Sequence, residues 1–265
     1  MKLDITTLSF VLALAGITQA GILIFQYRNN PDCPGIGWWA LGNICTAAGF
    51  GLNIFRASPT WLPVVVMLGN ALFVFAYLFY YRGTQQFGGL PDRSRPLFAV
   101  AALYLLALIY FFFIDDRLIV RAVLISSTIA LLASANVRIM FRLQRRSWDD
   151  PQLLAAGAFA VMALVFVGRL VYLLLHPDSY AGFLSQSTLQ LVLLLSSLAA
   201  STLWTVGFLL MVNQRLLRQT DELRRRFETL FHTNPDAALL TRLPDGLIVE
   251  VNDGFSSLFG LQPSE

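Results

Sequence analysis

The amino-acid sequence predicts an all-α polytopic membrane protein, a bundle of seven transmembrane helices followed by a helical extension and a short polar region. Hydrophobic residues make up 56% of the 265 residues and charged residues only 13%, whereas about 25% of a soluble protein is charged. The charges are also unevenly distributed, because 21 lie in residues 1–212 and 14 in the 53 residues that follow. Apolar runs recur throughout residues 1–212, and each is close to the length of about 20 residues that a helix needs to cross a bilayer.

Segments rich in Gly, Pro, Asn and Asp separate the apolar runs, for example residues 28–35 and 88–96, and these residue types interrupt helices. Aromatic side chains at run ends, such as Trp61 and Tyr81, suit the headgroup level of a membrane. The sequence therefore predicts a seven-transmembrane domain at residues 1–212. Its predicted spans are residues 5–25, 36–55, 61–81, 97–114, 118–140, 153–175 and 189–212.

The basic residues near the ends of the runs predict the orientation of the domain. Alternate connections carry 13 Lys or Arg residues in one set and four in the other, and the more basic side of a membrane protein faces the cytoplasm. This places the N-terminus outside and the C-terminus in the cytoplasm. The first run has no basic segment before it and no small-residue exit, so we interpret it as a span rather than a cleaved signal peptide. The four residues of the outer set are Lys2, Arg56, Arg117 and Arg121.

Residue counts exclude several chemistries. Cys33 and Cys45 form no Cys-x-x-Cys pair, so neither a disulfide framework nor a thiolate metal site is predicted. His176 and His232 lie outside the apolar runs, which excludes a haem held by paired intramembrane histidines. Lys2 is the only lysine, and a retinal Schiff base needs a lysine inside a helix. We therefore predict no catalytic residue, metal or cofactor. We also predict no nucleic-acid partner, because the basic residues are arginines in short loops.

Residues 213–232 contain no Gly or Pro, so the seventh helix is expected to continue into the cytoplasm as a signalling helix. Apolar and small residues recur there with spacings of 4, 3, 4 and 3, the seam of a parallel coiled coil. We interpret the segment as a dimer seam, and the alternative is a single helix that packs on its own downstream domain. The seam residues are Leu216, Thr220, Leu223, Phe227 and Leu230.

The last segment has the order of elements of a small α+β module. An amphipathic helix, a polar corner, two short apolar strands around Asp245–Gly246 and a short helix after Asn252 follow one another between residues 227 and 260. Asp-Gly between alternating apolar runs favours a hairpin. This order resembles the start of a PAS domain, so we assign residues 233–265 to its N-terminal part. Since a domain usually has about 100 residues, the resemblance implies that the fold continues beyond Glu265, and it places no haem or flavin.

The whole arrangement resembles the sensor halves of bacterial membrane-bound PAS–GGDEF and EAL signalling proteins, of the diguanylate cyclase and cyclic-di-GMP phosphodiesterase type. Residues 68–82 (LGNALFVFAYLFYYR) are similar to the third span of that group. The resemblance implies a multi-pass receptor of the bacterial inner membrane. Sensor histidine kinases share the layout and are the alternative. No GGDEF, EAL or phosphoacceptor motif occurs in the 265 residues, so catalysis is expected outside them.

Three arginines are placed unusually for a membrane domain. Arg56 ends the second span, Arg121 begins the fifth, and Arg169 lies about 10 Å inside the sixth at 1.5 Å per residue. A structural interpretation lets Arg56 and Arg121 reach the interface and pairs Arg169 with Asp115, Asp116 or a helix-end carbonyl. A functional interpretation is an outward-opening pocket that holds a small anionic ligand. The predicted pocket residues are Arg56, Arg121, Arg169, Asn53, Asn70, Tyr110 and Tyr172.

Two other classes of protein fit less well. A transporter with a regulatory tail needs a polar path across the midplane, yet only amides such as Asn43, Asn70 and Gln190 are available there. An enzyme acting within the bilayer needs clustered His, Asp or Glu residues, which the spans lack. The sequence thus favours a receptor with the lipid bilayer, a second copy of the chain and a small anionic ligand as its partners.

Overall fold

The computed structural model describes residues 4–143, 150–177 and 187–260. Its chain divides into two units, Met1–Met211 and Val212–Glu265. Lys2, Arg145 and Arg146, which contribute to the predicted charge pattern, lie outside the described residues. The helices of the first unit are α1 (Ile5–Asn29), α2 (Ile36–Leu52), a 3-10 turn (Asn53–Phe55), α3 (Leu62–Phe87), α4 (Arg95–Phe113), α5 (Leu118–Leu143), α6 (Gln152–Leu175) and the first part of α7 (Thr188–Thr233).

Of the helices in the described ranges, six are long and apolar enough to cross a membrane: α1, α3, α4, α5, α6 and α7. These helices indicate a membrane protein. Helix α2 has 17 residues, roughly 26 Å at 1.5 Å per residue, which is less than the ~30 Å of a bilayer core. The 3-10 turn Asn53–Phe55 continues it and adds roughly 6 Å. The count of seven spans therefore stays a prediction that depends on α2 together with this turn.

The helices extend beyond the predicted spans at several ends. Helix α1 continues to Asn29, and α3 continues past Tyr81 to Phe87. Helix α4 starts at Arg95, directly after a turn in which Asp92 Oδ1 accepts hydrogen bonds from Ser94 Oγ and the Ser94 amide at 2.6 and 2.9 Å. The hydrogen bond from the Ser94 hydroxyl is the main cause that lowers the pKa of Asp92. Hydropathy marks the bilayer core, whereas such local turns set the helix ends.

The core of the first unit is an aromatic cluster that joins α2, α3, α6 and α7. Trp39 stacks on Phe208 with ring centroids 4.3 Å apart and an interplanar angle of 2°. Phe159 stacks on Trp204 at 5.0 Å, and Tyr80 packs against Trp204 at 5.1 Å. All five side chains are at most 2% exposed. Stacked rings add roughly 0.5–1.5 kcal/mol per pair beyond their buried area, so this cluster fixes the spacing of the four helices.

The second unit contains a two-stranded antiparallel hairpin and a short helix. Strand β1 (Leu239–Thr241) pairs with β2 (Ile248–Val251), and Gly246 takes the left-handed conformation in the turn, with φ 69°. Helix α8 (Asp253–Phe259) follows. The hairpin lies where the sequence predicts it. Leu247 and Val249 are 56% and 65% exposed, since no second layer covers the hairpin among the described residues.

Asn252 holds the corner of this unit together. Its Oδ1 accepts hydrogen bonds from the amides of Ala238 and Phe255 at 2.8 and 2.9 Å, and its Nδ2 donates to the carbonyls of Asn234 and Asp236 at 3.1 and 2.8 Å. The side chain is fully buried. It therefore connects the N-terminus of α8 to the chain before β1.

We expect Asn252→Ala to destabilise the hairpin and α8 by about 1–3 kcal/mol, because buried donors and acceptors lose their partners. Hydrogen exchange of the amides of Ala238 and Phe255 measures this loss. Asn234→Ala is the matched control, since the Asn234 side chain accepts a single hydrogen bond, from the Asp236 amide. Equal protection of the two amides in Asn252→Ala and in the unchanged chain would contradict the assignment.

Candidate functional site

A cavity of about 340 Å³ lies inside the first unit, between α2, α3, α4, α5, α6 and α7. Most of its lining is apolar, with Phe50, Phe73, Ile125 and Phe166 among the side chains. Its polar lining contains three arginines, and we call it the arginine cavity. The polar and charged lining residues are Thr46, Arg56, Asn70, Tyr77, Arg121, Arg169, Ser197 and Trp204.

The three arginines line the same cavity because of where each lies on its helix. Arg56 follows α2 and its 3-10 turn, Arg121 lies in the first turn of α5, and Arg169 precedes the last residue of α6 by six positions. The ends of even-numbered helices and the starts of odd-numbered helices face the same side of an up-and-down bundle. All three arginines therefore lie toward the same side of the bundle, with Arg169 the farthest from its helix end.

Arg56 is held by a neighbouring amide. Its Nη1 donates to Asn53 Oδ1 at 3.0 Å, and Asn53 Nδ2 donates in turn to the Gly49 carbonyl at 3.3 Å. The Asn53 side chain is 3% exposed. Asn53 therefore orients Arg56 through this hydrogen bond, and Asn53 does not itself line the arginine cavity.

Arg121 is held between a carboxylate and a ring. Its Nη2 lies 2.8 Å from Asp116 Oδ1, and its guanidinium lies 4.8 Å from the centroid of the Phe112 ring. The Arg121 side chain is 14% exposed, whereas the Asp116 side chain is 74% exposed. Water therefore screens the carboxylate, and the positive charge on the cavity side is neutralised only in part.

Arg169 is the deepest of the three and is only 5% exposed. The structural interpretation paired it with Asp115, Asp116 or a helix-end carbonyl. The two carboxylates pair with Arg117 and Arg121, at 3.0 and 2.8 Å. Both aspartates lie in the connection between α4 and α5, close in sequence to these two arginines.

The remaining predicted pocket residues divide into two groups. Asn70 lines the arginine cavity, and its Nδ2 donates to the Val66 carbonyl at 2.8 Å. Tyr110 is 47% exposed and packs on Phe111, and Tyr172 is 40% exposed and stacks on His176 at 4.9 Å. The two tyrosines are not among the lining residues. Both have the predicted depth, but they project from other faces of α4 and α6.

A chain of buried hydrogen bonds starts at the far end of the cavity and reaches α1 and α7. The hydroxyls of Thr46 and Tyr80 lie 3.1 Å apart, and the Tyr80 hydroxyl donates to Asn43 Oδ1 at 2.6 Å. Asn43 Nδ2 donates to Thr205 Oγ1 at 3.1 Å, and Thr205 Oγ1 donates to Gln19 Oε1 at 3.2 Å. We call these five residues the polar network. From the sequence, Asn43 is recognisable only as a midplane amide, and the network itself is not predicted.

Close helix packing makes the polar network possible. A Cβ at Gly42 would collide with the Tyr80 ring, so only glycine allows this ring to approach α2 so closely. Small residues at helix contacts bring backbones together in membranes and permit hydrogen bonds between helices. The small residues of the second span were the one signal in the sequence that could have located the network.

Helix α7 contributes to both the cavity and the polar network. Leu193, Leu194, Ser197 and Trp204 line the cavity, and Thr205 belongs to the network. The same helix runs without a break from Thr188 to Thr233, in agreement with the absence of Gly and Pro after Val212. A change in the cavity therefore acts on a helix that also leads out of the first unit.

The predicted dimer seam lies on the second part of α7. Leu223, Phe227 and Leu230 are 67%, 49% and 72% exposed in this single chain. Ion pairs between residues four apart, Arg224–Glu228 and Arg226–Glu222, lie beside them. The exposed apolar side chains repeat at coiled-coil spacing, but a single chain does not test whether a second copy covers them.

The described residues hold no group of three or more His, Cys, Asp or Glu side chains that could bind a metal ion. Comparison with protein families matches residues 225–265 to the PAS domain family. No curated protein and no solved structure matches the chain. The PAS match covers the end of α7, the hairpin and α8, and a PAS segment next to membrane-type helices indicates a sensor role in signalling.

Proposed function

We propose that this protein is the input half of a transmembrane receptor, in which residues 1–212 detect a small ligand and α7 transmits the signal to the PAS segment. The observation that carries the proposal is the double role of α7: it lines the arginine cavity with four side chains, and it continues to Thr233, inside the PAS match that starts at residue 225. Transmission needs one mechanical element with two states, and an unbroken helix suits this role.

The polar network supplies the coupling in this proposal. Thr46 lines the cavity, and the hydrogen bonds from Thr46 through Tyr80 and Asn43 end on Thr205 of α7. A ligand that displaces the Thr46 hydroxyl changes the hydrogen-bond partners that are available to Tyr80 and Asn43. Because partners in a buried network exchange in discrete steps, the network favours two arrangements over a continuous range of arrangements.

We further propose seven spans in a bacterial inner membrane, with the N-terminus outside and the C-terminus in the cytoplasm. The excess of arginine at one set of helix ends supports this orientation. It also places the arginine cavity at the outer side, because Arg56 and Arg121 belong to the less basic set. An external ligand then reaches the arginines without crossing the bilayer.

Reporter fusions test this topology. An enzyme that is active only in the cytoplasm should be active when fused after Gly89 or Arg226 and silent when fused after Ser58 or Asp116, because the basic connections stay inside. Enzyme activity normalised to the amount of fusion protein is the measurement. A reporter that is active only outside the membrane should give the opposite pattern, and an inversion at one position would rule out seven spans.

The proposed signalling unit is a homodimer joined along the second part of α7. In a chain with Cys33 and Cys45 replaced by alanine, a cysteine at Leu216 or Leu223 should form disulfides between chains in membranes. A cysteine at Arg218, which is exposed and lies on the helix face opposite the seam, should form few, because coiled-coil contacts involve alternate spacings of three and four. Non-reducing gels measure the crosslinked fraction, and equal crosslinking at all three positions would argue against a defined seam.

The output in this proposal is synthesis or breakdown of cyclic-di-GMP by a domain outside the 265 residues. It is supported by the resemblance of the membrane domain, signalling helix and PAS segment to receptors of that type. Assays of membranes that contain the complete polypeptide, for cyclic-di-GMP turnover and for autophosphorylation by ATP, distinguish this output from that of a sensor histidine kinase.

A further inference from the structure

We propose that the ligand of the arginine cavity is an amphiphilic carboxylate, with one anionic head at the three arginines and an unbranched apolar tail in the rest of the cavity. The inference rests on the proposed receptor function for its biological role, whereas the binding itself can be measured without any signalling output.

The charge of the lining selects the head group. Arg56, Arg121 and Arg169 line the cavity, and no Asp or Glu is among its described lining residues. Asp116, which pairs with Arg121, is mostly exposed to solvent. A guanidinium binds a carboxylate through two parallel hydrogen bonds, and three arginines give the described lining a net positive charge. The lining therefore favours an anionic head group.

The remaining lining selects an apolar body. Beyond the arginines the cavity is walled by rings and branched aliphatic side chains, including Phe50, Phe73, Ile125, Ile129 and Met162. No charged side chain of the described residues lines this part. A small dianion such as succinate would place its second carboxylate against these rings without a hydrogen-bond partner, which is unfavourable.

The dimensions select a single chain of moderate length. The lining residues of α7 run from Leu193 to Trp204 and those of α5 from Leu118 to Ile129, roughly 16 Å along each helix at 1.5 Å per residue. A volume of about 340 Å³ over this length gives a narrow passage that suits one hydrocarbon chain. Since an apolar cavity of about 150 Å³ holds benzene, this one has room for roughly a dozen non-hydrogen atoms.

The far end of the passage explains why the tail matters. Thr46 and Trp204 line this end, and Thr46 is the first member of the polar network. A tail that reaches Thr46 contacts the network, whereas a shorter tail leaves it unchanged. The cavity is thus expected to distinguish ligands by the length of their apolar tail.

An anionic head on an apolar tail also occurs in anionic bilayer lipids, whose head is a phosphate and not a carboxylate. The test uses the 265-residue chain in nanodiscs of phosphatidylcholine, with radiolabelled decanoate as the probe and empty nanodiscs to subtract partitioning. We expect saturable binding of one decanoate per chain, displaced by octanoate but not by decanol, decylamine or succinate. If phosphatidylglycerol in the nanodisc displaces decanoate, the cavity binds a lipid phosphate and the proposed carboxylate is overturned; if it does not, the free carboxylate is supported.

Three variants make the test specific. Arg169→Gln should weaken decanoate binding about tenfold or more, the effect of losing a charged hydrogen-bond partner. Arg169→Lys should give an intermediate value, because it keeps the charge but loses the planar fork. Arg117→Gln is the control, since Arg117 is 63% exposed, pairs with Asp115 and does not line the cavity.

A fourth variant remains informative if Arg169→Gln fails to fold. Ile125→Trp should fill the middle of the passage and shift the preference from decanoate to hexanoate, because less room is left for the tail. Equal affinity for decanoate and decanol, displacement by succinate, or an unchanged chain-length preference in Ile125→Trp would each overturn the proposal. If decanoate binds but leaves the crosslinking at Leu223 unchanged, the ligand class holds and the receptor function fails.

Discussion

Replacing Gly83 with alanine is expected to destabilise the first unit by about 1–3 kcal/mol, the range for overpacking a well-packed core. A Cβ at this position would lie 2.5 Å from Trp39 Cδ1 and 2.9 Å from the Gly35 carbonyl oxygen. Trp39 cannot move away easily, because it stacks on Phe208 and its Nε1 donates to Thr84 Oγ1 at 3.3 Å. Thermal unfolding of the purified protein in detergent, followed by tryptophan fluorescence, measures the loss.

Gly21→Ala is the matched control for this prediction. Gly21 lies in α1, and a Cβ there would meet nothing within 4 Å. Alanine is favoured over glycine in a helix by up to about 1 kcal/mol, so this variant should unfold at the same or a higher temperature. A melting temperature for Gly83→Ala as high as that of Gly21→Ala would show that α2 and α3 do not approach as closely as the structure indicates.

The sequence predicts the membrane helices well, because hydropathy and turn residues act locally. The start of α5 at Leu118 and the end of α6 at Leu175 agree with the predicted spans. The end of α3 does not, since Phe87 lies six residues beyond Tyr81. Polar residues such as Gln85 still belong to the helix beyond the predicted bilayer core, and Gln85 Nε2 donates to the Pro91 carbonyl at 3.0 Å. Hydropathy alone cannot detect such an extension.

The candidate site could be predicted only in part, because depth fixes the level of a residue but not the face from which it projects. Arg56, Arg121 and Arg169 lie toward the predicted outer side and line one cavity. Tyr110 and Tyr172 also lie toward that side but are exposed on other faces. The rotation of each helix depends on which neighbours it packs against, and a single sequence does not contain those contacts explicitly.

The polar network could not be predicted for a related reason. Gln19, Asn43 and Thr205 are separated by many residues in the chain, and each is an ordinary polar residue within an apolar run. Polar groups inside a membrane tend to face the bundle interior and to find partners there. This rule predicts that Asn43 is buried, but the identity of its partners follows only from the packing of α1, α2, α3 and α7.

Asn43→Leu is expected to disconnect the cavity from α7 while leaving ligand binding intact. The substitution removes the hydrogen bond from Tyr80 and the one to Thr205. Asn43 does not line the cavity. Hydrogen bonds between membrane helices contribute on average about 0.6 kcal/mol each, so we expect the free energy of unfolding to fall by roughly 1 kcal/mol. The protein should still fold and bind decanoate, but decanoate should no longer change disulfide formation at Leu223→Cys.

Asn136→Leu separates a loss of coupling from a general loss of stability. Asn136 is fully buried, and its Nδ2 donates to the Tyr77 carbonyl at 3.1 Å and to the Leu132 carbonyl at 2.9 Å, which connects α5 to α3 but not to α7. The variant should lose stability to a similar extent and keep the decanoate response at Leu223→Cys. If both leucine variants lose the response, reduced stability explains it; if Asn43→Leu keeps the response, the signal does not travel through the polar network.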